Sequence, residues 1–196
     1  KCSNEEERNH FLHLMSEETV HMKRLIDDML LLANSDADTL TIKPEACQPD
    51  LLLLDTYEKF EPLAKKNGLH LILTLPEEIL PDCFCDIHRT EQIFSIIVDN
   101  ALCYTPSGGK VTLSCHAENE MLCFLFKDTG CGISEEKKSH IFERFYRADD
   151  AHTDREHFGL GLCIAKELTE KQNGNIQVVD APISGSCFMV QLPCAL

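Results

Sequence analysis

Two short segments of the sequence combine glycines with groups that suit ligand binding. Asp128-Thr129-Gly130-Cys131-Gly132-Ile133 follows an apolar run, and its two glycines allow backbone to approach a ligand closely. The Asp128 carboxylate can accept a hydrogen bond from an exocyclic amine such as that of adenine. Gly159-Leu160-Gly161-Leu162 opens a predicted helix, where unsatisfied N–H groups favour an anion such as phosphate. Each pattern alone is weak, because ordinary turns and helix starts also contain glycines.

Two further segments offer polar groups at definite positions. Asn100 lies among apolar residues of a predicted helix, so it is either a satisfied amide or an oxygen ligand for Mg²⁺. Residues 142–147 are aromatic and basic, and the polar stretch 148–157 that follows predicts a mobile flap. Arg144 and Arg147, at the root of this flap, either meet phosphate oxygens or lie on a solvated surface.

Hydrophobic periodicity predicts the elements that position these segments. A heptad from Asn9 to Ala33 indicates a long helix packed in a bundle, with partners that the chain does not obviously supply. The apolar run 121–126 predicts a central strand covered on both sides, rather than a short buried helix. Further helices are predicted near 50–66, 89–104 and 160–172, and further strands at 70–75, 83–86, 110–116, 175–179 and 186–192. This order predicts an α+β sandwich with a mixed, mainly antiparallel sheet, preceded by a long bundle helix.

Charge and composition exclude several classes of partner. The chain has 196 residues, of which 18 are basic and 33 acidic, giving a formal net charge of −15. Such a field repels nucleic acid and anionic membrane surfaces, so we expect no nucleic-acid partner. No apolar stretch is long enough to predict a membrane span, and the charged N-terminus does not resemble a signal peptide.

Eleven cysteines raise the question of a disulfide framework or a metal site. The number is odd, and several cysteines lie inside apolar periodic segments, where they are expected to be small buried hydrophobes. Cys83 and Cys85 form the one close pair, but no second Cys or His pair at zinc-like spacing accompanies them. We therefore expect reduced thiols, as in a cytoplasmic protein.

Taken together, the order of these segments resembles the N, G1, F and G2 boxes of sensor histidine kinase catalytic domains. Those domains belong to an ATPase group shared with gyrase, Hsp90 and MutL. Asn100 stands in the first box, and 128–133, 142–147 and 159–162 in the other three. The likeness extends to Asp86–Gln92, at the entry to the N-box helix. It also includes the closing strands, the linker helix and the second helix of the dimerisation domain, at 173–176, 185–188, 192–193, 62–64 and 25–30.

The resemblance implies a two-layer α/β sandwich that binds ATP and Mg²⁺. Asp128 would contact the adenine amino group, Asn100 would ligate Mg²⁺, and Arg147 would lie near the phosphates. Other expected nucleotide-binding residues would wall the pocket or shape the lid and phosphate loop: Tyr104, Gly130, Gly132, Ile133, Gly159, Leu160, Gly161, Leu162 and Ser186. The implied boundaries are 1–45 for the dimerisation helix and linker and 46–196 for the catalytic domain.

Three positions depart from the family pattern. Ile96 stands where the N-box commonly has a second asparagine, and Cys103 where a lysine is common. His157-Phe158 stands where the G2 box commonly begins with Gly-x. These departures bear on phosphate contacts and turnover more than on adenine binding.

The phosphoacceptor box of the family, His-Glu-Leu-Arg-Thr-Pro, is absent from the chain. His10, His13 and His21 lie on the predicted bundle helix without those neighbours. The resemblance thus implies that the γ-phosphate passes to a histidine on an upstream helix of the parent protein, and then to a response-regulator aspartate. It also implies a homodimeric parent whose cytoplasmic portion includes this chain and which is anchored in a membrane.

Two other functions remain open from the sequence. A degenerate kinase would bind ATP weakly or only scaffold a partner, which the departures at 96, 103 and 157 would explain. Another ATPase of the same group, such as a kinase that inhibits sigma factors, would share the four boxes. The bundle helix at Asn9 to Ala33 argues against this last alternative.

Overall fold

A computed structural model describes residues 3–147, 158–179 and 185–195. The predicted flap 148–157, with Arg155 and His157, lies outside the described residues. The helices are α1 (Ser3–Asp36), α2 (Pro49–Lys66), α3 (Ile87–Tyr104), α4 (Glu135–Lys138) and α5 (Gly161–Glu170). The strands are β1 (Glu45–Cys47), β2 (His70–Thr74), β3 (Cys83–Cys85), β4 (Lys110–Glu118), β5 (Met121–Asp128), β6 (Asn175–Val179) and β7 (Cys187–Pro193). Within the described ranges, no helix combines the length and apolar character needed to cross a membrane.

The sheet follows the predicted topology. Five strands lie in the order β2-β4-β5-β7-β6, and only the β2–β4 pair is parallel. The mixed, mainly antiparallel sheet is therefore confirmed, and β5 is its central strand. A separate two-stranded ribbon pairs β1 with β3. Neither β1 nor α4 was predicted, because Glu45–Cys47 and Glu135–Lys138 are short segments without an apolar pattern.

The hydrophobic core lies between the sheet and a layer formed by α2, α3 and α5. Phe94 of α3 contacts two aromatic side chains of β5, with ring centroids 4.8 Å from Phe124 and 5.0 Å from Phe126. All three rings are fully buried. Aromatic packing of this kind contributes about 0.5–1.5 kcal/mol per pair beyond area burial. It fixes α3, which carries Asn100, against the strand that ends at Asp128.

The prediction that β5 is covered on both sides holds only in part. Leu122, Phe124 and Phe126 face the helix layer and are fully buried. On the opposite face Cys123 is also fully buried, but Leu125 and Lys127 are only half-buried. Among the described helices, those that pack on the sheet lie on one face. On the other face, Leu125 is partly shielded from solvent by its cross-strand neighbours, Ser114 and Met189.

Helix α1 is long, as predicted, but most of its apolar stripe is exposed. Phe11, Met15 and Met22 keep between 58% and 66% of their surface open to solvent. The C-terminal third of the helix packs on the sandwich, through the buried Leu31 and Leu32 and the partly buried Leu25. The exposed stripe agrees with the expectation that this helix needs bundle partners from outside the chain.

A buried polar network fixes the start of α3. The Asp86 side chain accepts hydrogen bonds from Arg89 N–H (3.1 Å) and Lys43 N–H (2.9 Å). Its own N–H donates to Gln172 Oε1 at 2.7 Å. Asp86 thus caps the helix and joins it to the linker before β1 and to the turn after α5.

Candidate functional site

A cavity of about 400 Å³ opens beside the end of β5, between α3, α4 and the start of α5. This volume is in the usual range for a small-molecule site. It is lined by every nucleotide-binding residue expected from the sequence except Gly130: Asn100, Tyr104, Asp128, Gly132, Ile133, Arg147, Gly159, Leu160, Gly161, Leu162 and Ser186. Expected residues as far apart in the chain as Asn100 and Ser186 therefore meet in one cavity.

Asp128 is the most buried charged group of the cavity wall. It retains 3% of its surface, and its Oδ1 accepts hydrogen bonds from the N–H groups of Gly130 (2.8 Å) and Ser186 (3.1 Å). Its Oδ2 makes no hydrogen bond to any residue that the structure describes. One oxygen therefore fixes the orientation of the carboxylate, and the other is available to a donor in the cavity.

Two glycines allow the chain to close around this carboxylate. A Cβ at Gly130 would lie 2.4 Å from the Tyr104 carbonyl oxygen. A Cβ at Gly185 would lie 2.1 Å from the Asp128 carbonyl oxygen, and Gly185 has a φ of +89°. Any side chain at either position would push backbone apart. Gly130 therefore does not line the cavity, and it contributes to the site by donating a backbone hydrogen bond to Asp128.

The N-terminus of α5 forms another wall. The N-cap residue of α5 is Leu160, whose aliphatic side chain cannot accept hydrogen bonds from the first N–H groups of the helix. The Phe145 N–H donates to the Gly159 carbonyl at 2.9 Å, which ties the helix start to the aromatic and basic segment. Such a helix start favours an anion.

Ile96 lies directly beneath this helix start. A Cβ at Gly161 would come within 3.2 Å of Ile96 Cγ2. An aliphatic group thus stands where the family commonly has an amide. Asn100 is consequently the one asparagine among the described lining residues.

The basic side chains of the cavity are not all those expected. Arg147 lines it, but Arg144 instead forms a two-pronged ion pair with Asp36 of α1, at 2.7 and 2.6 Å. For Arg144 the structure supports the second of the two alternatives left open by the sequence, since this arginine lies on the surface, paired with Asp36, and does not line the cavity. Cys103 does not line the cavity, whereas Lys137 of α4 does.

Helix α1 contributes two lining residues that sequence reasoning missed. Arg24 and Asp28 reach the cavity, and Arg24 pairs with Asp99 of α3 at 3.6 Å. Burial raises the pKa of the Asp28 carboxyl above its ordinary value, against the opposing effect of Arg24. Nothing in the heptad marks these two positions, because they depend on how α1 docks against α3.

The remaining lining residues were also not expected. Cys131 and Tyr146 stand inside the quoted boxes but were not singled out, and Phe158 stands directly before the last box. The full set that sequence reasoning missed is Arg24, Asp28, Ala101, Cys131, Ser134, Lys137, Ile141, Tyr146, Phe158 and Phe188.

The oxygen donors of the cavity suit a nucleotide-bound Mg²⁺. Mg²⁺ prefers oxygen ligands, and in phosphate-transfer sites it takes one or two from the protein and the rest from phosphates and water. Asn100 offers an amide oxygen on the wall beside the α5 N-terminus. One amide oxygen from the protein is therefore compatible with the coordination that Mg²⁺ prefers in such sites.

Comparisons with known proteins agree with this geometry. Residues 85–196 match the family model described as histidine kinase-, DNA gyrase B-, and HSP90-like ATPase. The chain is 34% identical over 173 residues to the adaptive-response sensory kinase SasA of Rippkaea orientalis, covering 88% of this chain and 44% of that protein. It is 33% identical over 185 residues to the sensor protein SrrB of Staphylococcus aureus, covering 93% and 31%. The chain thus spans less than half the length of these curated relatives.

Solved structures show the same fold. Full-length ShkA in complex with AMPPNP superposes with a TM-score of 0.78 at 26% identity, covering 89% of this chain and 36% of that one. The histidine kinase AdeS of Acinetobacter baumannii superposes with a TM-score of 0.75 at 22% identity, covering 95% and 84%. The likeness to AdeS extends over both the long first helix and the sandwich.

Proposed function

From the premise that the chain belongs to the histidine kinase-, DNA gyrase B- and HSP90-like ATPase family, we propose that it is the ATP-binding catalytic domain of a two-component sensor histidine kinase, with one helix of the dimerisation domain. The observation that carries this proposal is the single cavity in which the four family boxes meet. The curated relatives are named as sensor proteins, which supports the same assignment.

In the proposed site, Asp128 recognises adenine. Its Oδ1 is held by two backbone N–H groups, and its Oδ2 accepts a hydrogen bond from the exocyclic amine. Tyr104 and Ile133 wall the base, and Gly132 lets it approach the backbone. The two backbone hydrogen bonds already fix the orientation of the carboxylate in the free protein, so little ordering of this group is needed when the base binds.

The phosphates are proposed to lie at the start of α5. Gly159 and Gly161 expose backbone N–H groups there, and Lys137 and Arg147, which also line the cavity, supply positive charge. Asn100 holds Mg²⁺ through its amide oxygen, and the chemistry that the ion supplies is neutralisation of charge on the phosphate oxygens. The contribution of the protein is therefore positioning and electrostatic stabilisation.

The γ-phosphate is proposed to pass to a histidine on an upstream helix of the parent, and from there to a response-regulator aspartate. The exposed apolar stripe of α1 supports a parent in which this helix completes a dimeric bundle. The boundary proposed between the dimerisation helix with its linker (1–45) and the catalytic domain (46–196) falls within one residue of the start of β1, the strand that pairs with β3. We place this portion of the parent in the cytoplasm, where ATP and a response regulator are available.

Phosphate transfer to a supplied acceptor tests the proposal. The parent's helical hairpin containing the acceptor histidine would be incubated with this chain and γ-labelled ATP. We expect label on the hairpin that is lost in acid and retained in base, and no label when Asn100 is replaced by alanine. Binding of ATP without transfer would instead favour the degenerate kinase that the departures at Ile96 and Cys103 suggest.

A further inference from the structure

Three cysteines meet in the ribbon formed by β1 and β3: Cys47 from the first strand, and Cys83 and Cys85 from the second. The strands pair antiparallel with Cys47 opposite Cys83, and the alternation of side chains places Cys85 on the same side of the ribbon. The Sγ atoms of Cys47 and Cys85 are 3.4 Å apart, and all three sulfurs lie within 4.8 Å of one another. The linker strand thus supplies the third thiol that the Cys83–Cys85 pair lacks in the sequence.

The spacing of the three sulfurs suits a shared metal ion. Two thiolates bound tetrahedrally to one ion at a metal–sulfur distance of about 2.3 Å stand about 3.8 Å apart. The observed separations, from 3.4 Å up to at most 4.8 Å, bracket that value. A disulfide requires about 2.05 Å, and it would leave the third thiol of the cluster unused.

Burial defines an inner and an outer side of the cluster. Cys83 and Cys85 are fully buried, and Cys47 is half-buried at the edge of the ribbon. An ion among the three sulfurs would therefore be shielded by the domain on one side and open to a water ligand beside Cys47. Soft thiolate ligands of this kind select Zn(II) or Cu(I) over Mg²⁺.

We propose that Cys47, Cys83 and Cys85 form a three-thiolate site for one thiophilic cation, Zn(II) or Cu(I). On binding, the thiols release their protons to the solvent and three sulfur–metal bonds form, with no change of oxidation state. The ion would tie the linker strand to β3, and the residue after β3 is Asp86, the cap of α3. This site lies outside the nucleotide cavity and does not depend on the proposed kinase function.

Metal titration of the full chain tests the proposal. The reduced, chelator-treated protein would be titrated with Zn(II) and, in a second arm under anaerobic conditions, with Cu(I), each against a chromogenic chelator. We expect about one tightly held ion per chain and a raised melting temperature in at least one arm, because a ligand bound only by the folded state stabilises it. The arm that binds more tightly identifies the ion.

Substitutions locate the site. Cys47→Ser and Cys85→Ser should each weaken binding by roughly 100-fold or more, since changes outside the ligand shell alone cost about 10–100-fold. Cys47 is half-buried, so its variant keeps the test valid if Cys85→Ser does not fold. The matched control is Cys123→Ser, which removes the sulfur of a second group, formed with the exposed His116 and Glu118; Cys123 itself is fully buried, as Cys85 is.

The control variant should bind as the parent does. Loss of the ion in Cys123→Ser with retention in Cys47→Ser would overturn the proposal. So would the absence of a tightly held ion in both arms from protein whose thiols are shown to be reduced.

Discussion

At the residue scale, Asn100 is proposed to ligate Mg²⁺ through its amide oxygen, whereas Asp128 and the basic residues contact the nucleotide directly. We predict that Asn100→Ala lowers ATP affinity in the presence of Mg²⁺ but has much less effect in EDTA, because the lost group is an oxygen ligand of the metal. Calorimetric titration under both conditions measures this difference. An equal loss in both would show that Asn100 acts by supporting the fold of α3.

Lys137 is predicted to contact the phosphates, in place of the lysine that the family commonly has at position 103. Lys137 lines the cavity and Cys103 does not. Lys137→Ala should therefore weaken ATP more than adenosine, by roughly threefold to tenfold, as for a partly screened charge contact of about 1 kcal/mol. The ratio of the two affinities is the measurement.

The neighbouring residue provides the control for this change. Lys138 pairs with Glu135 and does not line the cavity. Lys138→Ala should leave the ratio of ATP to adenosine affinity unchanged. An equal effect of both variants would mean that the general acidity of the chain, rather than a specific contact, sets phosphate affinity.

At this scale the sequence predicted 11 of the 21 described lining residues; of the three cationic ones it predicted Arg147 and missed Arg24 and Lys137. Asp128, Asn100 and the glycines belong to short motifs whose spacing is visible in one dimension. The sequence does not show that Arg147 lines the cavity and Arg144 does not. The two arginines diverge because Phe145 between them takes a positive φ of 65° and turns the chain. Arg144 is thereby directed to Asp36, a contact that depends on the docking of α1.

At the element scale, the end of α1 is latched to the catalytic domain by polar contacts. Arg144 binds Asp36, Lys171 binds Asp38, and Ser35 Oγ donates to Glu167 Oε2 at 2.7 Å. Asp36 and Asp38 keep 55% and 88% of their side-chain surface open to solvent, and Arg144 and Lys171 keep 39% and 28%, so salt should weaken the two ion pairs. The latch holds Arg24 and Asp28 of the same helix at the cavity.

We predict that Asp36→Asn loosens this latch. Amide hydrogen exchange in the last turns of α1 should become faster, while exchange in β5 stays unchanged, because the bidentate pair is lost without disturbing the core. Asp27→Asn, an exposed carboxylate on the same helix, is the control. Equal protection of α1 in both variants would contradict a latch at Asp36.

The pH dependence of the latch has a definite sign. The hydrogen bond from Arg144 lowers the pKa of Asp36 below its ordinary value. A depressed pKa means that the contact is fully present above the ordinary aspartate pKa of about 3.9 and is lost only as pH falls through the lower folded value. Protection of α1 should therefore persist throughout the neutral range.

Elements were predictable where they are long and periodic. Helices α1, α2 and α3 and the strands of the main sheet follow from their apolar patterns to within a few residues. The ribbon strand β1 was not predictable, since Glu45-Ala46-Cys47 has no pattern and is ordered by pairing with β3. Because β1 was not predicted, the proximity of Cys47 to Cys83 and Cys85 was not predicted either.

At the scale of the whole molecule, the chain carries a nucleotide site but not the family's acceptor motif. His10 and His13 lie exposed on α1 without the family's neighbouring residues. We predict no acid-labile label on His10, His13 or His21 after incubation of this chain alone with labelled Mg-ATP. Label mapped to any of them by mass spectrometry would show that α1 is itself an acceptor helix.

The central claim is that the cavity binds the adenine ring through Asp128. Asp128→Asn keeps an oxygen for the N–H groups of Gly130 and Ser186 but replaces the other oxygen with a donor that cannot accept from adenine. Loss of a charge-assisted hydrogen bond of about 1.5–3 kcal/mol corresponds to roughly 10- to 100-fold weaker binding. The control is Asp55→Asn, an exposed carboxylate on α2.

Calorimetric titration of the parent and both variants with ATP and ADP is the most direct measurement. The account predicts that Asp128→Asn weakens both nucleotides by that factor, while Asp55→Asn binds them as the parent does and all three proteins melt cooperatively. Equal ATP affinity of the parent and of a folded Asp128→Asn would contradict the assignment of this cavity to adenine.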